Sequence, residues 1–432
     1  MNFSRFISRV SAARKESPIR ETTRIKLQNP EVISLAGGYP NPAMFPFQSA
    51  EIKTRDGLKV QFNEEDMKTA LQYSASQGNR APDLLKWVKK LHVKYHNPPI
   101  MKNEENEGFA ACVSCGSQDG LIKVFEMLVN PGDNVLLDDP CYSGTLAMVK
   151  PMDCNLIPVT TDHHGLQPNS LLSVLEKWKP ESSHDPKSDI PRVLYTIPNC
   201  GNPTGATQTL ERKKEIYAIA QKYDLVIVED DPYFFLQFNV SETPSPSYQA
   251  IDVDGRVIRC DSMSKVMSSG LRIGWISGAY PFIQRLILHQ QASILHTSTF
   301  VQMTISRLLD QWGLEGFENH TKNVQKFYKE RRDAMIKYAT KWLTGLAEWA
   351  EPEGGMFLWI KLIGVDDTTL LIKKKALEKK VLLLPGSAFG VVEGTSSSFC
   401  RVSYSFATDE EMDEVSRLFV CSIVVKSTVV QV

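Results

Sequence analysis

Residues 192–205 read Arg-Val-Leu-Tyr-Thr-Ile-Pro-Asn-Cys-Gly-Asn-Pro-Thr-Gly, and this stretch decides the fold. Its first six residues, Arg192–Ile197, are mainly apolar or aromatic, which predicts a short buried strand. The next eight contain two prolines and two glycines, and they predict a rigid turn that aims the Asn202 side chain. Apolar residues then recur at helical spacing in Leu210–Tyr223, and Leu225–Val228 is another short apolar run. A strand, a helix and a second strand in this order predict a parallel pair.

The same alternation extends to both sides of this stretch. Further strands are predicted at Ala110–Ser114, Asn134–Leu137, Val257–Arg259 and Ile273–Ser277, and further helices at Gln118–Val129, Ser143–Lys150 and Pro281–Trp312. Short apolar strands that alternate with helices indicate an α/β fold, a mainly parallel sheet with helices on both faces.

The pattern changes near residue 320. Asn323–Trp342 predicts a charged amphipathic helix, and Thr408-Asp-Glu-Glu411 predicts a capping box that opens a last helix. Strands are predicted between them at Met356–Ile360, Val381–Leu384 and Arg401–Ser405. We therefore expect three parts: an N-terminal segment at 1–30, a large domain with an N-terminal arm at 31–319, and a small C-terminal α+β domain at 320–432.

The composition excludes several classes of protein. Of 432 residues, 42% are hydrophobic and 23% charged, and the net charge is -1. These values are typical of a soluble globular protein, and they indicate no overall field that would attract nucleic acid or a membrane surface. The eight cysteines do not have the spacing of a zinc site, so we expect no metal.

The N-terminal segment allows two interpretations. Residues 1–28 are rich in arginine and lysine, with serines at 4, 8 and 11 and apolar residues at helical spacing. Such a basic amphipathic start resembles a mitochondrial transit peptide. The alternative is an N-terminal helix that packs on the protein. We expect a mitochondrial location, with a cytoplasmic one as the alternative.

Polar motifs follow the predicted strands, at the sheet edge where open parallel sheets bind ligands. Gly116-Ser117-Gln118 opens a helix, and free N–H groups there favour a phosphate, although Ser117 is also an ordinary helix cap. In Asp230-Asp-Pro-Tyr233, a carboxylate could pair with a protonated pyridine nitrogen and the tyrosine could reach a phenolic oxygen. Without other motifs, an acidic strand-end loop would be the simpler interpretation.

The segment Ser262-Met-Ser-Lys-Val-Met-Ser-Ser-Gly-Leu-Arg272 carries a lysine between two serines and an arginine. The Lys265 amine suits an imine to an aldehyde cofactor, while hydroxyls and a guanidinium suit a phosphate. Tyr142 is a candidate ring-stacking platform, and Arg401 suits bidentate capture of an amino-acid carboxylate. Taken together with Asn202 and Asp230, these motifs meet the requirements of pyridoxal 5′-phosphate.

From Ser34 to the last helix, the chain resembles the fold type I pyridoxal-phosphate aminotransferases of class I/II. Within them it is most similar to the kynurenine/2-aminoadipate aminotransferases, through Ser17-Pro-Ile-Arg20, Leu35-Ala-Gly-Gly38, Asp230–Phe238, Gly354–Trp359 and Pro385–Phe389. The resemblance implies ping-pong transfer of an amino group to a 2-oxo acid such as 2-oxoglutarate. It also implies a homodimer with shared active sites.

The resemblance implies a role for each motif residue. Lys265 would carry the imine and move the proton. The remaining cofactor-binding residues would be Ser117, Gln118, Tyr142, Asn202, Asp230, Tyr233, Ser262, Ser264, Arg272 and, from the neighbouring subunit, Tyr73. The substrate-binding residues would be Arg401, Asn202, Tyr142, Arg20, Gly38 and Tyr39.

Two features depart from the family pattern. Tyr39 stands where relatives usually have a small or aliphatic residue, and the turn Gly78–Pro82 is longer than theirs, so the side-chain specificity is open. Cleavage of a transit peptide near residue 28 would also remove Arg20.

Two other functions are alternatives to transamination: a β-lyase of the cysteine-conjugate type on the same fold, and a non-catalytic binding protein that keeps the fold.

Overall fold

The computed structural model describes residues 1–29, 31–75, 84–102, 108–185, 187–238 and 244–424. The chain forms two compact units, the first comprising Met1–Asn130 with Ser247–His320 and the second Pro131–Pro246 with Thr321–Val432. The three-part division expected from the sequence stays a prediction. The turn Gly78–Pro82 lies outside the described residues.

Helices and strands are numbered in chain order. The α-helices of the described residues are α1 Arg9–Ala13, α2 Pro18–Gln28, α3 Glu64–Ala70, α4 Leu84–Tyr95, α5 Ser117–Leu128, α6 Ser143–Val149, α7 Pro168–Leu175, α8 Leu210–Lys222, α9 Tyr280–Ser293, α10 Thr299–Leu343 and α11 Asp409–Val424. The strands are β1 Ala50–Lys53, β2 Lys59–Phe62, β3 Phe109–Ser114, β4 Asn134–Asp139, β5 Asn155–Asp162, β6 Gly165–Leu166, β7 Val193–Thr196, β8 Val226–Asp230, β9 Val257–Ser262, β10 Gly274–Ala279, β11 Ala347–Trp349, β12 Phe357–Leu362, β13 Leu384–Pro385 and β14 Phe399–Ser403.

In the first unit, β10 pairs with β3 on one side and with β9 on the other, and both pairings are antiparallel. All residues of β9 and β10 are buried, and helices α5 and α9 pack against these strands. Gly274 at the start of β10 is level with Ser114 and with Ser262. The carboxyl ends of β3 and β9 therefore meet at one edge, where the loops that carry Ser117 and Lys265 begin.

The N-terminal segment is packed into the first unit. Phe6 is fully buried, and its ring lies 6.3 Å from that of Phe282. The Ser8 hydroxyl donates to the carbonyl of Glu126 at 2.7 Å and also accepts from the Ser11 N–H at 3.2 Å, so that Ser8 caps α1. Residues 6–11 therefore pack onto the first unit, and the choice between the two interpretations stays a prediction.

The second unit contains the parallel sheet. Strands β8, β7, β4 and β5 pair in that order, all in parallel, and β6 adds to β5 in antiparallel orientation. Every residue of β7 and β8 is buried, as expected of strands covered on both faces. The prediction of a mainly parallel sheet is confirmed. It missed β5, whose Pro158 and two threonines interrupt the apolar run.

The end of the chain builds a separate antiparallel sheet in the order β11-β12-β14-β13. Its core includes Leu358, Ile360 and Cys400, together with Met412 and Phe419 of α11. The predicted capping box is confirmed, because the Thr408 N–H donates to Glu411 Oε2 at 2.7 Å and the Glu411 N–H donates to Thr408 Oγ1 at 3.2 Å.

Two predicted elements were wrong in their extent. The predicted strand Val381–Leu384 begins only at Leu384, while Val381 is a fully buried core residue outside any strand. The predicted helix Pro281–Trp312 is interrupted between α9 and α10, where Leu295 takes φ 64°. In the part of the chain that the structure describes, no helix is long and apolar enough to cross a bilayer. The same residues include no group of three or more histidine, cysteine or acidic side chains arranged to hold a metal.

Candidate active site

The first unit places a cation at the start of α5. Arg272 donates from Nη2 to the Cys115 carbonyl at 3.0 Å and from Nη1 to the Ser269 carbonyl at 3.0 Å, and Nη1 lies 3.4 Å from Ser264 Oγ. Ser117 is the first residue of α5, and the first N–H groups of a helix have no acceptor within the helix. We call Gly116, Ser117, Ser264 and Arg272 the anion cradle.

Gly116 is required for this approach. It takes φ 84° and ψ 170°, and a Cβ atom there would lie 2.5 Å from Arg272 Nη2. Among the described residues, Arg272 has no ion pair with a carboxylate. A helix N-terminus beside an unpaired guanidinium fits a phosphate dianion.

Lys265 lies in the loop that leaves β9. Ser262, the last residue of β9, accepts the Ser264 N–H on its hydroxyl at 3.1 Å, and the Met263 N–H donates to the Ile273 carbonyl at 3.0 Å. These bonds hold a tight loop in which Lys265 is half-buried. Gln118 is exposed in the first turn of α5, one residue beyond the anion cradle.

Three of the predicted substrate or cofactor residues form an aromatic cluster in the first unit. The Tyr73 ring lies 6.3 Å from Tyr39 and 6.2 Å from His296, and the Arg20 guanidinium carbon lies 5.7 Å from the Tyr73 centroid. Burial lowers the pKa of His296, and the nearby Arg20 charge adds to this effect. Gly38 precedes Tyr39 in the same exposed segment. His296 was not predicted as a site residue, since a histidine at a helix break carries no signal of its own.

In the second unit, Asn202 and Arg401 are directly bonded. Arg401 Nη1 donates to Asn202 Oδ1 at 2.8 Å, and the Asn202 side chain is also hydrogen-bonded to the Tyr233 hydroxyl. The Arg401 guanidinium carbon lies 4.2 Å from the Phe357 ring centroid and 5.2 Å from that of Phe389.

Arg401 is a cation held without a counter-ion. Its Nε is buried and has no hydrogen-bond partner, and no acidic side chain of the described residues pairs with the guanidinium. Burial lowers its pKa, although nearby Tyr233 and Tyr142 oppose this effect. An arginine that is desolvated, bonded on one nitrogen and unpaired is suited to a carboxylate ligand.

Asp230 ends β8 and is almost completely buried. Its Oδ2 accepts a hydrogen bond from the Tyr195 hydroxyl at 2.8 Å, and Tyr195 in turn accepts from Thr145 Oγ1 at 2.8 Å. Neither Tyr195 nor Thr145 was predicted as a site residue. The available signal was a tyrosine inside a buried strand, since a buried hydroxyl needs a partner.

Tyr142 and Tyr233 stand close to the same carboxylate. Tyr142 precedes α6 and is half-buried, and burial followed by the charge of Asp230 raises its pKa. Burial also raises the pKa of Tyr233, with the charge of Asp230 again the next cause. The second unit thus gathers Tyr142, Asn202, Asp230, Tyr233 and Arg401, and the first unit gathers Ser117, Ser262, Ser264, Lys265 and Arg272.

A model of the family described as Aminotransferase class I and II matches residues 50–418. The chain is a class I and II aminotransferase. It is 52% identical to a Bos taurus protein named kynurenine/alpha-aminoadipate aminotransferase, mitochondrial, over 96% of this chain and 97% of the relative.

Solved structures of aminotransferases have the same fold. A kynurenine aminotransferase from Pyrococcus horikoshii, crystallised with PMP, superposes with a TM-score of 0.75 at 27% identity and covers 98% of both chains. The alpha-aminoadipate aminotransferase LysN from Thermus thermophilus, complexed with N-(5′-phosphopyridoxyl)-L-leucine, has a TM-score of 0.72 at 26% identity and covers 100% of both chains. The predicted fold type I class and the transaminase activity are thereby confirmed.

As a member of this family, the aminotransferase uses pyridoxal 5′-phosphate. Its own residues fit that group. In the first unit, the anion cradle would offer a cation and helix N–H groups to a phosphate, and Lys265 would offer an amine. In the second unit, Asp230 would offer a buried carboxylate to a ring nitrogen.

Proposed function

We propose that this aminotransferase transfers the amino group of kynurenine, 2-aminoadipate or a related aromatic or long-chain amino acid to a 2-oxo acid such as 2-oxoglutarate. The observation that carries the proposal is the unpaired Arg401 beside Asn202. The 52% identity to the bovine kynurenine/alpha-aminoadipate aminotransferase supports the substrate class. Both substrates are α-carboxylates, so one arginine serves the donor and the acceptor alike.

Each residue has a distinct task toward the cofactor. When bound, pyridoxal 5′-phosphate supplies an aldehyde for covalent attachment and a ring that withdraws electrons. Lys265 Nζ provides the attachment and then moves the proton between the substrate carbon and the cofactor. The phosphate is bound by Ser117, Gln118, Ser262, Ser264 and Arg272. Asp230 keeps the ring nitrogen charged, Asn202 and Tyr233 bind the phenolic oxygen, and Tyr142 stacks on the ring.

The aromatic cluster of Arg20, Tyr39 and Tyr73 sets the side-chain preference in this proposal. A guanidinium over a tyrosine ring can bind the distal carboxylate of 2-aminoadipate, and the rings can pack against kynurenine. Gly38 leaves room beside this cluster. Tyr39 narrows the space that an aliphatic residue would leave open.

We propose a homodimer, because the arm after α2 exposes apolar side chains that a monomer would bury. Leu35 is 98% exposed, Ile33 91%, Met44 83% and Phe47 64%. Such a patch marks a protein interface. A second copy of this chain is the occupant that fits, since Tyr73 in the same unit is the residue expected to bind the phosphate of the neighbouring subunit.

We propose that the enzyme acts in mitochondria, as the names of its bovine and rodent relatives state for those proteins. The packing of Phe6, Ser8 and Ser11 supports the proposal that the segment is retained after import. Arg20 is then retained in the mature enzyme. N-terminal sequencing of the native protein tests this, and a mature chain that begins after Arg20 would contradict it.

The decisive experiment follows the first half of the reaction. The enzyme with bound cofactor is incubated with one amino acid and no acceptor, and the cofactor absorbance and the oxo acid formed are measured. We expect conversion with 2-aminoadipate, kynurenine and other aromatic amino acids. A β-lyase would give a different result. The cofactor would bind and pyruvate and ammonia would be released from a cysteine conjugate, but no amino acid would convert the bound cofactor to its amino form.

A pair of variants tests the carboxylate site. Arg401→Gln should weaken binding of donor and acceptor by about 2–5 kcal/mol, because a desolvated charge pair is lost. Arg331→Gln is the control, since Arg331 pairs with the exposed Asp409 in the same unit. Equal KM values for the two variants would refute the role of Arg401.

Lys265→Ala tests the attachment of the cofactor, with Arg331→Gln again as the control. Loss of the cofactor absorbance in Lys265→Ala but not in Arg331→Gln would support Lys265 as the residue that carries the cofactor.

A further inference from the structure

Three buried side chains of the second unit form a chain of hydrogen bonds that ends on Asp230. Thr145 Oγ1 donates to the Tyr195 hydroxyl at 2.8 Å, and that hydroxyl donates to Asp230 Oδ2 at 2.8 Å. Tyr195 and Thr145 are 0% exposed and Asp230 is 2% exposed. Water therefore does not compete for these bonds.

The chain of bonds has one direction. A tyrosine hydroxyl has a single proton, and because Thr145 donates to its oxygen, that proton is directed to Asp230. Burial, together with the charge of Asp230, raises the pKa of Tyr195 well above its ordinary value. The hydroxyl thus remains a donor at every pH at which the enzyme works, and donation favours the ionised form of a carboxylate.

The backbone explains why Tyr195 is the residue that reaches Asp230. Strands β7 and β8 run in parallel with Tyr195 level with Val228, so Asp230 lies two residues further along β8. Thr145 belongs to the first turn of α6, the helix that begins directly after Tyr142. Tyr195 consequently links the carboxylate at the end of β8 to the helix that follows the proposed ring-stacking residue.

We propose that Tyr195 is a positioning residue that fixes the orientation and the ionised state of Asp230. This inference rests on the proposed function, in which Asp230 faces the ring nitrogen of the cofactor. Without the Tyr195 hydroxyl, the ionised form of Asp230 would be less favoured, and Asp230 would stabilise the positive charge of the ring nitrogen less. The Lys265 nitrogen linked to the cofactor would then keep its proton to a higher pH.

The test compares Tyr195→Phe with Tyr404→Phe in the enzyme with bound cofactor. Tyr404 is an equally buried tyrosine of the same unit, but its hydroxyl donates to the Gly354 carbonyl at 3.1 Å. Both variants lose one buried hydrogen bond, so both should lower the unfolding temperature. Only Tyr195→Phe should raise the pH at which the visible absorbance of the bound cofactor titrates.

Tyr195→Phe should also lower kcat by about tenfold to a hundredfold, the range for loss of a hydrogen bond to a charged group, with little change in KM. Should Tyr195→Phe fail to fold, Thr145→Val is the second variant. It keeps the bond from Tyr195 to Asp230 but removes the donor that orients the Tyr195 proton. The pH at which the cofactor absorbance titrates should then rise by a smaller amount. Identical titrations for Tyr195→Phe, Tyr404→Phe and the wild type would overturn the inference. Failure of the proposed function is distinct, since the wild-type enzyme would then bind the cofactor and yet no amino donor would convert it.

Discussion

Replacing Gly116 with alanine tests the anion cradle at its closest contact. The new Cβ would lie 2.5 Å from Arg272 Nη2, and nonbonded heavy atoms prefer a separation of about 3.5–4.0 Å. The guanidinium must therefore move by about 1 Å. That movement breaks the 3.0 Å bond from Nη2 to the Cys115 carbonyl and carries the charge away from the start of α5.

The expected cost has two parts. The backbone conformation of Gly116, φ 84° and ψ 170°, is nearly restricted to glycine, and alanine there should lower the free energy of unfolding by about 1–3 kcal/mol. The displaced cation should weaken cofactor binding by about 1.5–3 kcal/mol, the value of a hydrogen bond to a charged group. The dissociation constant of pyridoxal 5′-phosphate should thus rise by about tenfold to a hundredfold.

Gly132→Ala is a matched control for this experiment. Gly132 also has a positive φ of 83°, but no atom lies within 4 Å of the position its Cβ would take. It should lose folding stability without losing cofactor affinity. Urea unfolding of the cofactor-free proteins and absorbance titration with the cofactor separate the two quantities. Equal cofactor affinity in both variants would show that Arg272 does not bind the phosphate.

Three further predictions concern the rest of the molecule. Burial raises the pKa of Asp138 from 3.8 to about 7, so the folded state holds a proton that the unfolded state releases. Stability should fall by about 1.4 kcal/mol per pH unit as the pH rises through this window, and Asp138→Asn should flatten the dependence in urea unfolding between pH 4 and pH 7. Phe6→Ala should lower the free energy of unfolding by about 3–5 kcal/mol, because Phe6 is fully buried. Val10→Ala, at a side chain that is 64% exposed, should lower it by less than about 0.5 kcal/mol. Equal melting temperatures for the two variants would contradict the packing of the N-terminal segment. Leu35→Glu should shift the sedimentation coefficient toward the monomer, but Phe406→Glu, at a side chain that is 97% exposed outside the arm, should not.

Local patterns in the sequence predicted most of the strands and the parallel pairing. Apolar runs such as Val193–Thr196 and Val226–Asp230 are buried on every residue, and such strands can be recognised without knowledge of their neighbours. The capping box at Thr408 is also local, because both of its bonds lie within four residues. β5 escaped prediction because Pro158 and two threonines interrupt its apolar run, and Val159 is its one fully buried residue.

Site residues divide along the same line. Lys265, Asn202 and Asp230 stand in short motifs that follow strands, so residue types and order were enough to predict a role for each of them. Tyr195 became visible only in three dimensions, since its partner Asp230 is 35 residues away. The absence of an acidic partner for Arg401 among the described residues is likewise a property of the folded chain, because no sequence pattern shows which carboxylates fail to reach a cation.

Under the proposed mitochondrial location, the packed N-terminal segment would be subject to two selective pressures, each on a different face. Phe6, Ser8 and Ser11 face the protein, while Arg9 and Val10 face solvent. Core packing constrains the first group, and recognition by an import receptor would constrain the second. Substitutions at the buried positions would therefore be selected against because they lower folding stability. Substitutions at the exposed positions would be selected against because they impair import. An organism that relocated this enzyme to another compartment could alter the exposed face while the buried face stayed unchanged.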